Sequence, residues 1–161
     1  MMFGVEVSET EATEAEQNVH SFMSTEAGVY LGHGPGRKWF KERFFLPYLR
    51  DELMDNGLFV ETLETATTWS RLLELNVAVR EAILREFEKL GLRALVTVHI
   101  SHLYRDGASL YFTIAGSTRT GEELKLWQAV KRAAYEAITQ IGAAISHHHG
   151  VGADHRAWLE G

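Results

Sequence analysis

The stretch RALVTVHISHLYRDGASLYFTIA, residues 93–115, decides the fold. Two runs of alternating apolar and polar residues flank Arg105-Asp106-Gly107, and that alternation is the period of a half-buried strand. A three-residue loop with glycine last predicts a hairpin closed by a type I turn and a left-handed residue. If Tyr104 faces Ala108, then Ile100 faces Phe112 and Val98 faces Ile114 on one apolar face, while Ser101 faces Tyr111 and His99 faces Thr113 on the other. One side of the sheet is set aside for a core, and hydroxyl and imidazole groups collect on the opposite side. On the hairpin alone, such a polar face is more often solvated than catalytic.

Working outward, the hairpin lies between two helical patterns. Leu72, Leu73, Val79, Ile83, Leu84, Phe87 and Leu90 form a stripe that predicts a helix over 70–90, closed by Gly91. Thr120-Gly121-Glu122-Glu123 has the spacing of a capping box, and Leu124, Trp127, Val130, Ala134, Ile138 and Ile141 continue at helical spacing to Gly142. Upstream, residues 58–64 read as a strand. A helix over 48–55 follows Pro47 and stops at Asn56-Gly57. Residues 8–28 read as a helix, residues 29–31 as a short strand, and the glycine-rich run 32–36 as irregular. Met1 to Val7 alternates like a strand already in progress, as in a chain begun in mid-protein. The class expected is α+β, one domain with an antiparallel sheet and long helices on one face.

Composition narrows the function. The chain has 161 residues, 16 Lys and Arg against 22 Asp and Glu, and a net charge of −6. That balance offers no basic surface to follow a phosphate backbone, so nucleic acid is not an expected partner. The chain has no cysteine, which excludes disulfides and thiolate metal sites and fits a cytoplasmic location. No run approaches the ~20 apolar residues that span a bilayer, and no signal peptide is apparent.

Three features could carry chemistry. The first is His147-His148-His149, set in an apolar stretch and followed by Gly150-Val151-Gly152. Consecutive side chains point in different directions, so three adjacent imidazoles do not easily meet on one ion, and no metal is expected. A pocket edge is the better reading: glycines let a ligand approach the backbone, and imidazoles bind anions and move protons. The second is Arg50, either a surface ion pair beside its acidic neighbours or a clamp for phosphate or carboxylate. The third is Tyr111, a phenol on the polar hairpin face that could donate a proton or orient a substrate oxygen. Trp39, Trp69, Trp127 and Trp158 read as packing residues.

Four segments in order, Pro47-Tyr48-Leu49-Arg50-Asp51, Glu61-Thr62-Leu63-Glu64-Thr65-Ala66 with Trp69, Gly107-Ala108-Ser109-Leu110-Tyr111-Phe112, and Ser146 to Gly152 with Trp158-Leu159, resemble the C-terminal cap of the alkyldihydroxyacetonephosphate synthase family. The resemblance spans nearly the whole chain. It implies a ferredoxin-like α+β cap over FAD in a flavoenzyme of the vanillyl-alcohol oxidase type. The family's reaction exchanges the acyl chain of acyl-dihydroxyacetone phosphate for a fatty alcohol on reduced FAD, without net oxidation, to give the ether lipid precursor. Carried over, the resemblance makes Tyr111, His148 and His149 catalytic candidates, Arg50, His147 and His99 substrate-binding candidates, and His147, His148 and Gly150 cofactor-binding candidates. It also implies that residues 1–161 are the cap of a longer flavoprotein, truncated at both ends, inactive alone, whose FAD-binding domain is missing from this chain. A homodimer stays open. Two alternatives stand beside it: the cap of a hydroxy-acid dehydrogenase of the D-lactate or glycolate type, whose turn usually reads Glu-His-Gly-Ile-Gly, and a fragment that is inactive or serves only as an interaction module.

Overall fold

The computed structural model describes residues 7–26 and 28–159. The chain divides into two compact units, one ending at Leu49 and one beginning at Arg50. The first contains helices α1 (Ala12–Thr25) and α2 (Gly34–Glu42), neither of which buries a residue. Two expectations change here. Residues 29–31 are irregular rather than a strand, and the glycine-rich run supplies the start of α2, with Pro35 in its first turn, where a missing backbone N–H costs nothing. The strand expected over residues 1–7 lies, but for Val7, outside the described residues. Helix α3 (Leu46–Asp55) spans the boundary and stops at Gly57, whose φ of 77° only glycine adopts readily.

The second unit holds strand β1 (Leu58–Thr68), a turn of 3-10 helix over Trp69–Arg71, helix α4 (Leu72–Lys89), strands β2 (Ala94–Leu103) and β3 (Gly107–Ser117), helix α5 (Glu123–Ile141) and a short 3-10 helix over Ala153–Trp158. The sheet is antiparallel in the order β1-β3-β2. Leu75, Val79, Ile83 and Phe87 of α4 and Leu126, Val130, Ala134 and Ile138 of α5 share a core with Leu63, Val96, Leu110, Phe112 and Ile114 of the sheet. Each of these side chains larger than alanine contributes about 1.5–3 kcal/mol by leaving water. The α+β class, with long helices against one face, is as the sequence indicated. The helix over 123–141 lacks its expected capping box: a turn in which the Glu122 N–H meets the Arg119 carbonyl at 2.9 Å, with Gly121 at φ 85°, leaves Thr120 upstream and makes Glu122 the N-cap.

The hairpin register differs from the expected one. Val98 faces Phe112, His99 faces Tyr111 and Ile100 faces Leu110, after which the pairing is interrupted before Leu103 meets Ala108. The displacement is two residues, so every side chain up to Ile100 keeps its predicted face. The loop is Tyr104-Arg105-Asp106, and Gly107 opens β3 instead of serving as a left-handed turn residue. Its glycine is needed for another reason. A Cβ there would collide with the Thr67 carbonyl of β1.

Gly142, at φ 69°, ends α5 and turns the chain back towards the sheet. Ala144 then bridges Ala66, its N–H donating to the Ala66 carbonyl at 2.9 Å, and the His147 N–H reaches the Glu64 carbonyl at 3.1 Å. The Thr65 hydroxyl also donates to the Ala144 carbonyl. Backbone groups of residues 144–147 thereby cover the free edge of β1, and they carry the histidines to the polar face.

Candidate active site

Glu64 is the centre of the polar face. In an antiparallel sheet alternate residues share a side, so Glu64 of β1 lies with Ser109 and Tyr111 of β3, its register partner being Tyr111. Its side chain is only 3% exposed, and a buried carboxylate needs donors around it. Nδ1 of His102 and Nδ1 of His147 each lie 3.2 Å from Oε1, the Ser101 hydroxyl donates to the same oxygen, and Nε2 of His149 is 3.3 Å from Oε2. Ser109 extends the network, 2.7 Å from the Ser101 hydroxyl and accepting the His102 N–H at 3.0 Å. Burial raises the pKa of Glu64, and hydrogen bonds from Ser101, Ser109, His102 and His147 outweigh that effect, holding the carboxyl below its ordinary range. The group is ionised near neutral pH.

Two backbone irregularities supply these donors. Where pairing is interrupted between Ile100 and Leu103, consecutive residues Ser101 and His102 both reach Glu64, which regular alternation forbids. In the histidine turn, His148 has φ 58°, a left-handed conformation that costs a non-glycine residue about 1–2 kcal/mol. The His149 N–H also closes on the His147 carbonyl at 2.8 Å, and the Ser146 hydroxyl donates to the Gly150 carbonyl at 2.9 Å. So folded, the turn sends His147 and His149 to opposite oxygens of Glu64, and the His148 ring to 4.3 Å from that of His147 and 4.5 Å from that of His102.

Adjacent imidazoles therefore approach one another more closely than the sequence suggested. Ring nitrogens of His102, His147 and His148 lie within 4.8 Å of one another. Both nitrogens of His147 are nonetheless committed, Nδ1 to Glu64 and Nε2 to the Tyr104 hydroxyl at 2.9 Å, so the cluster is built as a hydrogen-bonded network around a carboxylate.

The predicted residues separate into two groups. His147, His148, His149, Tyr111 and His99 come together: Tyr111 meets the His149 ring edge-on at 5.5 Å and stacks with His99 at 5.1 Å. Among the described residues the Tyr111 phenol makes ring contacts and no hydrogen bond. Gly150 stands exposed at the end of the turn, with φ 74°. Arg50 is not brought to the cluster by any contact among the described residues; it is half exposed, its guanidinium 3.6 Å from Asp51. Sequence reasoning assigned no role to Glu64, Ser101, His102, Ser109 or Tyr104. A carboxylate in mid-strand beside an apolar residue was a usable signal for Glu64. Nothing in the sequence marked the bulge that recruits Ser101 and His102. A cleft of about 270 Å³ leads from Glu64 and His149 past Thr62 and Ser146 to Lys131 and Asp154, giving a polar ligand group room beside the cluster.

Comparison with known proteins gives the family of the chain. Residues 2–161 match the family described as FAD linked oxidases, C-terminal domain. The chain is 32% identical over 142 residues to an alkyldihydroxyacetonephosphate synthase of Dictyostelium discoideum, covering 88% of this chain and 23% of that protein. It is 31% identical over 157 residues to one of Trypanosoma brucei brucei, covering 93% and 25%. A solved structure of an alkyldihydroxyacetonephosphate synthase superposes with a TM-score of 0.68 at 27% identity, over 84% of this chain and 24% of that one. The chain thus spans about a quarter of the length of the curated relatives it matches.

Proposed function

The chain belongs to the family of FAD linked oxidase C-terminal domains, and on that premise we propose that it is the substrate-covering cap of a flavoenzyme that exchanges the acyl chain of acyl-dihydroxyacetone phosphate for a fatty alcohol in ether lipid synthesis. A separate FAD-binding domain completes the enzyme, and this chain alone is inactive. The observation that carries the reading is the meeting of the histidine turn with Tyr111 around the buried Glu64, in a chain similar along most of its length to alkyldihydroxyacetonephosphate synthases.

The residues present suit a flavin and a phosphate ester. Imidazole N–H groups donate to flavin carbonyls or an anionic ring, and His148 and Gly150, exposed at the rim of the turn, are the residues we assign to FAD; His147, whose two ring nitrogens are committed to Glu64 and Tyr104, has no N–H left for that role. Bound in its reduced form, FAD supplies the nucleophilic nitrogen of the exchange. The chain's own groups bind, orient and move protons. Arg50 presents a guanidinium fork whose competing partner among the described residues is the exposed Asp51 carboxylate, an interaction a phosphate readily replaces. His149, which lines the cleft and is held by Glu64, and Tyr111, held against His149 and His99, are the acid and base groups we assign to the exchange. His99 completes the substrate contacts.

The test is a chimera in which this chain replaces the matching region of the Dictyostelium discoideum synthase. Incorporation of labelled fatty alcohol into acyl-dihydroxyacetone phosphate, lost in His149→Ala and Tyr111→Phe, supports the proposal. A folded chimera that binds FAD, exchanges nothing and oxidises a hydroxy acid sinks it, and favours the dehydrogenase alternative.

A further inference from the structure

The histidine turn makes one contact that the roles assigned above do not use. Nε2 of His147 lies 2.9 Å from the hydroxyl of Tyr104, a residue half exposed at the end of β2. Nδ1 of the same ring lies 3.2 Å from Oε1 of Glu64, and the backbone N–H of His147 is fixed to the Glu64 carbonyl. An ionised carboxylate only accepts hydrogen bonds, so Nδ1 of His147 carries a proton. In the neutral ring Nε2 is then a bare acceptor, and the Tyr104 hydroxyl is the donor. Carboxylate, imidazole and phenol stand in line from a buried end to an exposed one, the arrangement in which a carboxylate fixes a tautomer and the imidazole draws a proton from a hydroxyl. Tyr111, by contrast, has no hydrogen-bonded base among the described residues.

We propose that Glu64, His147 and Tyr104 form a proton relay beside Tyr111 and His149, in which Tyr104 is a second catalytic phenol, His147 the base behind it and Glu64 the positioning residue. For the identity of the substrate the relay rests on the reading above. As the oxygen of the incoming alcohol bonds to the substrate carbon whose C–O bond was lost with the fatty acid, the alcohol's O–H bond breaks and the proton passes to the Tyr104 oxygen, while the phenol's own proton passes to Nε2 of His147. Tyr104 ends neutral, His147 becomes an imidazolium and Glu64 stays a carboxylate. The imidazolium proton returns along the same path to the carboxylate expelled when the next fatty acid leaves, so protons balance over a turnover. The titratable groups that face His147 are Glu64 from β1, His102 and Tyr104 from the end of β2, and His148 in its own turn.

The relay is tested in two stages. Long-range proton–nitrogen NMR of the histidine rings in this chain, without cofactor, is expected to show neutral His147 protonated on Nδ1. Tyr104→Phe is expected to move the Nε2 resonance of His147 while leaving the fold intact, because the phenol is half exposed, and Glu64→Gln to release a mixture of tautomers. Protonation of His147 on Nε2, or an Nε2 resonance unmoved by Tyr104→Phe, overturns the relay whatever reaction the protein performs. In the chimera, Tyr104→Phe is expected to lower kcat by about 10²–10⁴-fold with little change in KM. An unchanged kcat with the NMR signatures present makes the contact structural and likewise ends the proposal. Failure of exchange in the unmutated chimera, with the NMR signatures present, counts against the assigned reaction and not against the relay geometry.

Discussion

The two faces of the sheet follow the same two-residue alternation and obey different rules. On the helix side, Leu63, Val96, Leu110, Phe112 and Ile114 are buried against α4 and α5. Their requirement is volume, which many side chains can meet. On the far side a single carboxylate, Glu64, is held by one serine and three imidazoles from two parts of the chain. Its requirement is direction, because each donor must point at an oxygen. A face built on volume tolerates chemical change and resists cavities; a face built on direction does the reverse.

The largest effect should come from the helix side. Phe112 is fully buried at the centre of the core, and truncation to alanine is expected to cost about 3–5 kcal/mol, from lost transfer energy and the cavity left behind. Urea unfolding measures it. A cost below about 1 kcal/mol would mean that the sheet and helices are not packed as described.

Glu64→Gln comes next, at about 1–3 kcal/mol at pH 7, since the amide keeps the volume but turns a donor towards groups that already donate. The pH dependence sharpens the contrast. Glu64 has a lowered folded pKa, because its hydrogen bonds outweigh the opposing effect of burial. As pH falls, the unfolded chain takes up its proton first. The stabilisation is therefore complete above the ordinary carboxyl range near about pH 4.3 and is lost as pH drops through the folded value. Unfolding curves at pH 7 and pH 3 should lie closer together for Glu64→Gln than for the unmutated chain, whereas Phe112→Ala should keep the full pH dependence. Equal pH dependence in all three would show that Glu64 does not carry this linkage.

The same contrast explains what the sequence disclosed. The helix-facing side was legible because apolar periodicity alone places Val79, Ile83, Phe87, Val130 and Ile138 in a core, and an error of two in strand register leaves the face assignments up to Ile100 intact. The far face was half legible. His147, His148, His149, Tyr111 and His99 were found by residue type, but their meeting point was not, because it depends on a bulge between Ile100 and Leu103 and on a left-handed His148. Neither leaves a glycine or proline to mark it. Gly107, which does mark something, reports the close approach of β1 rather than the turn conformation it suggested.

His148 allows a test with the opposite sign. Its φ of 58° is a conformation glycine adopts freely, and its side chain contributes ring contacts with His102 and His147 on an exposed surface. His148→Gly is expected to raise stability by about 0.5–1 kcal/mol, relief of backbone strain exceeding the loss of those contacts. If this position serves the flavin, exchange activity in the chimera falls in the same variant, a trade of function against stability. A loss of stability would mean that the imidazole cluster itself holds the turn.

The smallest effect on stability is expected at Tyr111, where the two faces differ most sharply in kind. Its neighbour in sequence, Phe112, points into the core, while the Tyr111 ring packs between His99 and His149 and its hydroxyl makes no hydrogen bond among the described residues. Tyr111→Phe therefore removes an oxygen that no described residue bonds, and the change in unfolding free energy should stay within about 0.5 kcal/mol. On the proposed function that oxygen is reserved for substrate, so the same variant should lower exchange in the chimera by about 10²–10⁴-fold. Paired with Tyr104→Phe, it separates two phenols by their surroundings: one already bonded to a base, the other without a partner until a ligand arrives. If Tyr111→Phe retains full exchange while Tyr104→Phe does not, the acid–base chemistry belongs to the relay, and Tyr111 serves only to hold His149 and His99 in place.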